Sequence, residues 1–333
     1  MMNAILSALA RHASWLPEGL VRAVFTFVAN VAWAFHIGGV RQLERNLAQV
    51  LMHRDGSVDR KTLRSTSRAA MTSYFIYFAE ALTVGARSSQ QLHARIRGEG
   101  DGLSSIQQQC TSSSAPIAMG HQGNWDYAGY WANDAIAPVT TVAERLQSEQ
   151  LLHTFVSIRE TLGMTILLTG QHGLTQQLED CLMQEHVVVP LLADRDLSKH
   201  GIFVQAFGSI IRVARGPATI ALQSGKPLYI VNMHRETLHG DRKRQAGVST
   251  GHVCTVSGPV NPHDYDDMPT EQAVTAISQA WVDIWTKDIE RFPEDWHMLQ
   301  PIFIEDLDLQ RLHGVPANFG VSPHPADTQS ERM

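Results

Sequence analysis

From residue 115 onward, short runs rich in β-formers alternate with stretches of helical length, and this alternation constrains the fold more than any other feature. The β-rich runs are "PIAM", "VTTVA", "MTILL", "HVVVPLLA", "PLYIVNM" and "HVCTV". Between them lie "WDYAGYWANDA", "SEQLLHTFVSIRETLG", "HGLTQQLEDCLMQE" and "VARGPATIALQSG". Such alternation packs as a largely parallel or mixed sheet with helices on both faces, so the predicted class is α/β. A long C-terminal helix, "TEQAVTAISQAWVDIWTKDIERFPEDW", is stopped by Pro293. Residues 1–95 read as helical and 96–312 as the α/β core, with "SSIQQQCTSSSAP" a polar break, the helix end and loop before the first strand. Residues 313–333, rich in Pro, Gly, Ser and Asp, read as a disordered tail.

The formal charge of −6 argues against nucleic acid as the main partner. Yet the stretch from Arg41 to Arg68 carries seven basic residues against Glu44, Asp55 and Asp59. Arg60, Arg64 and Arg68 fall four apart, on one helical face, with the aromatic run Tyr74, Phe75, Tyr77 and Phe78 close behind. A cationic face beside an apolar one suits an anionic membrane surface; a solvated face leading into a core helix is the plainer alternative. "AVFTFVANVAWAFHIGGV" is uncharged and about long enough to span a bilayer, but Thr26, Asn30, His36 and the Gly38–Gly39 pair interrupt it. It reads equally well as a helix lying in the membrane interface or as an ordinary buried helix. Three scattered cysteines fit neither a disulfide framework nor a zinc site.

The chemistry concentrates where strands end. In sheets of this kind ligands bind beyond the carboxyl ends of the strands. His121 follows "PIAM", Glu144 and Arg145 follow "VTTVA", and Asp194, Arg195 and Asp196 follow "VVVPLLA". An imidazole there suits general-base removal of a proton from a substrate alcohol, with a carboxylate on its far nitrogen. Asp126 and Asp194 both qualify as that carboxylate. Gly123 lets backbone approach a substrate, and N–H groups at the helix start near Gly123 and Asn124 could hold an oxyanion. Asn124 or Asp126 as a simple helix cap is the competing reading. Arg145 and Arg159 are either anion clamps or surface ion pairs. Asp194 and Asp196 could instead pair on a divalent metal in a glycosyltransferase, a reading that leaves His121 idle. No G-x-S-x-G elbow occurs, so the nucleophile belongs to the substrate. A base, a substrate hydroxyl and an activated ester together describe acyl transfer.

The segment "GHQGNWD", with its H-x4-D spacing, resembles the motif of glycerophospholipid and lipid A-type acyltransferases. "RQLERNLAQVL", "LLADRDLSKHGIFVQAFG", "VAERL", "SIRETLGM" and "PEDWHMLQPIF" are similar, in order, to the lipid A biosynthesis acyltransferase superfamily, in its phosphatidylinositol mannoside acyltransferase branch. The resemblance implies an α/β/α sandwich with a mixed, largely parallel central sheet and an N-terminal membrane-docking helical part. It implies a peripheral enzyme on the cytoplasmic face of the cell membrane. That enzyme moves a long acyl chain from acyl-CoA, a co-substrate rather than a cofactor, to a mannose hydroxyl of a phosphatidylinositol mannoside or related glycolipid. It makes His121 the base, with Asp126 and Asp194 as catalytic carboxylates. Arg145 and Arg159 fall on substrate-binding positions, and Gly123, Asn124, Glu144, Arg195 and Asp196 share the same rim. One departure stands out. Relatives often read "FFGE" where this chain has "AFGS", with Ala206 and Ser209.

Overall fold

The computed structural model describes residues 16–145, 148–196, 198 and 200–316. The described residues begin with three long helices: α1 (Glu18–Ala34), α2 (Val40–Asp55) and α3 (Arg60–Thr83). Helix α1 buries Val21, Phe25, Ala29 and Ala32 and leaves Leu20, Val24, Phe27 and Val28 exposed on its other side. Its two charges do not face water. Glu18 takes both guanidinium nitrogens of the buried Arg95 at 2.9 Å, and Arg22 donates to Glu80 at 2.7 Å. Asp59 starts α3 by accepting the N–H groups of Lys61 and Thr62. Among the described residues, no helix is long and apolar enough to cross a membrane.

The remaining elements alternate as follows: α4 (Ser89–Arg95), β1 (Ile96–Glu99), α5 (Leu103–Gln109), β2 (Ala115–Met119), α6 (Trp125–Ala135), β3 (Thr140–Ala143), α7 (Glu149–Thr161) and β4 (Thr165–Leu168). Then come α8 (Leu174–Met183), β5 (Val188–Leu192), the hairpin β6 (Ile202–Ala206) and β7 (Ser209–Val213), α9 (Gly216–Ser224), β8 (Leu228–Thr237), α10 (Gly240–Ala246), β9 (Thr250–Val260) and α11 (Thr270–Arg291). The central sheet has the order β1-β9-β8-β2-β5. Strand β2 runs parallel to β5 and β8, while β9 runs antiparallel to β8. The parallel pair β3–β4 joins the β5 edge through one bridge, Val139 to Val188. All five residues of β2 are buried, as expected of a strand covered on both faces. One apolar layer packs α11 on the sheet through Ile277, Trp281 and Trp285; the other packs α5 and α6 through Ile106, Tyr127 and Ala128. The result is an α/β/α sandwich.

The polar stretch before "PIAM" is the end of a helix and a loop: α5, fixed by the fully buried Ile106, runs into it. One local expectation needs correction. "PIAM" is not the first strand. The edge strand β1, Ile-Arg-Gly-Glu, precedes it and carries too few apolar residues to announce itself. At the "AFGS" departure, Phe207 and Gly208 both have positive φ (53° and 71°), forming the two-residue loop of the β6–β7 hairpin. Ser209 donates to Glu305 there. The expected tail lies, from residue 317 onward, outside the described residues, as do residues 1–15.

Candidate active site

Strand register sets the geometry. Met119 of β2 pairs with Leu192 of β5, so His121 and Asp194 each lie two residues beyond a matched pair. Gly120 permits the turn between them, since a Cβ there would lie 2.6 Å from the Trp285 indole nitrogen. His121 Nδ1 is 2.5 Å from Asp194 Oδ1. Asp194 Oδ2 accepts the His121 backbone N–H and the Trp296 indole N–H, both at 2.9 Å. Burial alone would raise the Asp194 carboxyl, but the neighbouring imidazole and these donors outweigh it and hold the group below the usual carboxylate range. An ionised Asp194 accepts the proton on Nδ1 and leaves Nε2 as a lone-pair acceptor.

Asp126 has other partners. It accepts Arg159 Nε at 2.8 Å and the Tyr77 hydroxyl at 3.1 Å. Burial opposes the Arg159 charge, yet Asp126 and Tyr77 keep its pKa raised. Tyr77 packs at a tilt against Trp125 with ring centroids 4.0 Å apart, and Trp125 meets the His121 ring edge-on at 5.7 Å. Asp126 therefore supports the wall against which the imidazole packs, while Asp194 holds the imidazole itself.

A strap formed by residues 295–300 closes the turn from behind. The Gly123 N–H donates to the Asp295 carbonyl at 2.9 Å, and the His297 N–H donates to the His121 carbonyl at 2.7 Å. Of the N–H groups near Gly123 and Asn124 expected to hold an oxyanion, the Gly123 N–H is thus already bonded. Asn46, from the "RQLERNLAQVL" stretch, pins the strap by donating to the carbonyls of Met298 and Gln300. The strap also carries His297. Ser73 donates to Asp295 at 2.7 Å, so His297 Nε2–H donates to Ser73 at 3.0 Å and its Nδ1 is left an unpartnered acceptor. Burial drives the His297 pKa down to about 3, so the ring is neutral.

A cavity of about 300 Å³ opens in front of His121, lined by Tyr74, Tyr77, Phe78, Trp125, Phe155 and Val156 and, on its polar side, by Glu144, Arg159, Arg195 and His297. Arg195 hydrogen-bonds Gln300 and lies 3.7 Å from Glu144. The other rim residues sit elsewhere. Arg145 is solvent-exposed and 3.7 Å from Glu149. Asp196 lies 3.7 Å from Arg212. Asn124 is buried, capping α6 through the Tyr127 N–H and donating to Glu80. With Asp194 bonded to His121 and Asp196 turned to Arg212, the two carboxylates do not form a metal pair. No cluster of metal-ligating side chains occurs among the described residues.

Sequence reasoning missed Glu80, Asp295, Trp296 and His297, and read Tyr77 only as part of an aromatic run. Only the resemblance of "PEDWHMLQPIF" to the family pointed at Asp295, Trp296 and His297, and nothing in the helical pattern of α3 singled out Glu80.

The chain belongs to the bacterial lipid A biosynthesis acyltransferase family, whose sequence profile matches residues 3–304; it is an acyltransferase. Within that class, the phosphatidylinositol mannoside acyltransferase of Mycolicibacterium smegmatis is 34% identical over 302 residues, covering 89% of both chains. The protein of that name from Mycobacterium tuberculosis is 33% identical over 298 residues, covering 89% of this chain and 86% of its own. The solved 1-acyl-sn-glycerophosphate acyltransferase from Thermotoga maritima aligns with a TM-score of 0.35 at 14% identity, over 82% of this chain and 96% of that one.

Proposed function

We propose that this acyltransferase moves a long fatty acyl group from acyl-CoA to a mannose hydroxyl of a phosphatidylinositol mannoside at the cytoplasmic face of the membrane. The observation that carries the reading is the His121–Asp194 pair at the mouth of a half-aromatic, half-polar cavity. Nε2 takes the acceptor hydroxyl proton as that oxygen attacks the thioester carbonyl. The tetrahedral intermediate then collapses, the C–S bond breaks, and the imidazolium returns the proton to the CoA thiolate. Arg159, Arg195 and the unpartnered His297 Nδ1 are the cavity groups suited to sugar hydroxyls. The exposed apolar side of α1 suits the membrane interface.

The direct test is release of free CoA from palmitoyl-CoA with and without a phosphatidylinositol mannoside, with the product identified by mass spectrometry. Acceptor-dependent release and a mannose-linked ester are expected. Release that responds only to a glycerol phosphate acceptor overturns the acceptor assignment.

The apolar wall between α3 and α7 is the proposed place for the acyl chain. Val156→Trp should therefore penalise long donors over short ones. Displacing two or three methylenes from apolar contact, at about 0.8 kcal/mol each, lowers the palmitoyl to octanoyl ratio of kcat/KM by about 10- to 50-fold. An unchanged ratio places the chain elsewhere.

A further inference from the structure

We infer that a second, non-catalytic site on this protein binds the phosphate of an anionic membrane phospholipid in a hollow formed by Arg64, Arg68, Arg235 and Trp33. The inference rests on the proposed membrane association of α1 and adds to it a defined headgroup site. Arg64, Arg68 and Thr72 line the hollow from α3, Arg235 from β8, and Trp33 from the last turn of α1. The guanidinium of Arg64 lies 4.5 Å from the Trp33 ring centroid, and that of Arg68 lies 5.7 Å away. Arg68 is further pinned through Nε to Asn30 at 2.6 Å. Arg235 is fixed by Asp295 through its Nε and backbone N–H, at 2.6 and 2.8 Å.

Three cations are thus drawn around one opening, and Asp295 is the one carboxylate among the described residues that pairs with any of them. The stacked and pinned guanidiniums have already lost much of their side-chain freedom, so an incoming anion orders less. A phosphate oxygen matches the forked donors such a hollow presents.

One observation selects a lipid phosphate over a soluble one. Asn30, which holds Arg68, follows the exposed Phe27 by three residues on α1, so the hollow borders the uncharged face of that helix. A helix resting on a bilayer by that face would bring the hollow to headgroup level. The hollow is also separate from the acceptor cavity. Tyr77 lies nine residues after Arg68, ~180° around α3 at 3.6 residues per turn, and faces the catalytic cavity. A substrate engaged by His121 is therefore on the other side of the helix.

The test is flotation of the full chain with vesicles of neutral phosphatidylcholine and with vesicles containing phosphatidic acid, at constant ionic strength. Wild-type protein should bind the anionic vesicles more tightly. Arg64→Gln with Arg68→Gln should lose about fivefold per arginine removed, roughly 25-fold together. The pair Arg41→Gln with Arg60→Gln, outside the hollow, should lose clearly less. Arg64→Lys with Arg68→Lys keeps the charge but not the fork and should lose most of the phosphatidic acid preference. Equal losses for the two Gln pairs, or full binding by the Lys pair, would mean diffuse attraction and overturn the site. Displacement from anionic vesicles by millimolar inorganic phosphate points to a soluble anion and overturns the lipid assignment. Protein that binds neutral vesicles but gains nothing from phosphatidic acid defeats this site alone; protein that binds neither also defeats the membrane reading.

Discussion

Replacing Asp194 with asparagine is expected to lower kcat/KM for acyl transfer by about 10²–10⁴-fold, as is replacing His121 with alanine. In the native site the ionised Asp194 accepts a proton from Nδ1 and the His121 backbone N–H, so Nε2 is free to act as a base. An asparagine can turn its amide donor toward Nδ1, which moves the ring proton to Nε2 and removes the base. Because the two residues work as one unit, the double variant should be little worse than His121→Ala alone. Asp126→Asn acts at one remove, by loosening Arg159, Tyr77 and the Trp125 wall, and should cost about 10- to 100-fold. The decisive comparison is the pH profile of CoA release. Asp194→Asn should alter the basic ionisation that controls the rate, whereas Asp126→Asn should leave it in place. The reverse pattern would make Asp126 the partner of the imidazole despite its distance from the ring contacts.

Those two carboxylates also mark how far the sequence could be read. Strand ends and helix starts were legible because apolar runs and capping residues are local signals. "WDYAGYWANDA" is α6 residue for residue, and every β-rich run beyond position 115 overlaps a strand. His121 could be picked out as a strand-end imidazole. The choice between Asp126 and Asp194 could not be made, because it depends on the parallel register of β2 with β5, a pairing across 73 residues. The strap was beyond reach for the same reason. Asp295 and His297 earn their places by contacts with Gly123, His121 and Ser73, far away in sequence. Asn124 shows what a local signal can carry. Of its two readings, support for an oxyanion or a helix cap, its side chain takes the second, capping α6 and donating to Glu80.

Glu80→Ala is expected to be the most destabilising single substitution in the N-terminal helices. The carboxylate is fully buried and joins three parts of the chain: Arg22 of α1 at 2.7 Å, Asn124 at the start of α6 at 2.7 Å, and His252 of β9 at 3.0 Å. Removing it leaves a largely buried guanidinium and an amide donor without their acceptor, which costs about 3–5 kcal/mol and lowers Tm by roughly 10 °C. Burial works against the Glu80 charge, but His252, Arg22 and Asn124 outweigh it, and its pKa lies well below the ordinary 4.5. A carboxyl depressed in the folded state adds stability above its unfolded value and loses it as pH falls through the folded one. Glu80→Gln keeps the shape and an acceptor oxygen, so it should cost less than the alanine at neutral pH. Its deficit against wild type should then shrink as the pH is lowered below about 4.5. Urea unfolding of wild type and Glu80→Gln between about pH 3 and 7 measures this directly. A deficit that stays constant over that range would mean Glu80 acts by packing alone, and that its charge does not tie α1 to the floor of the active site.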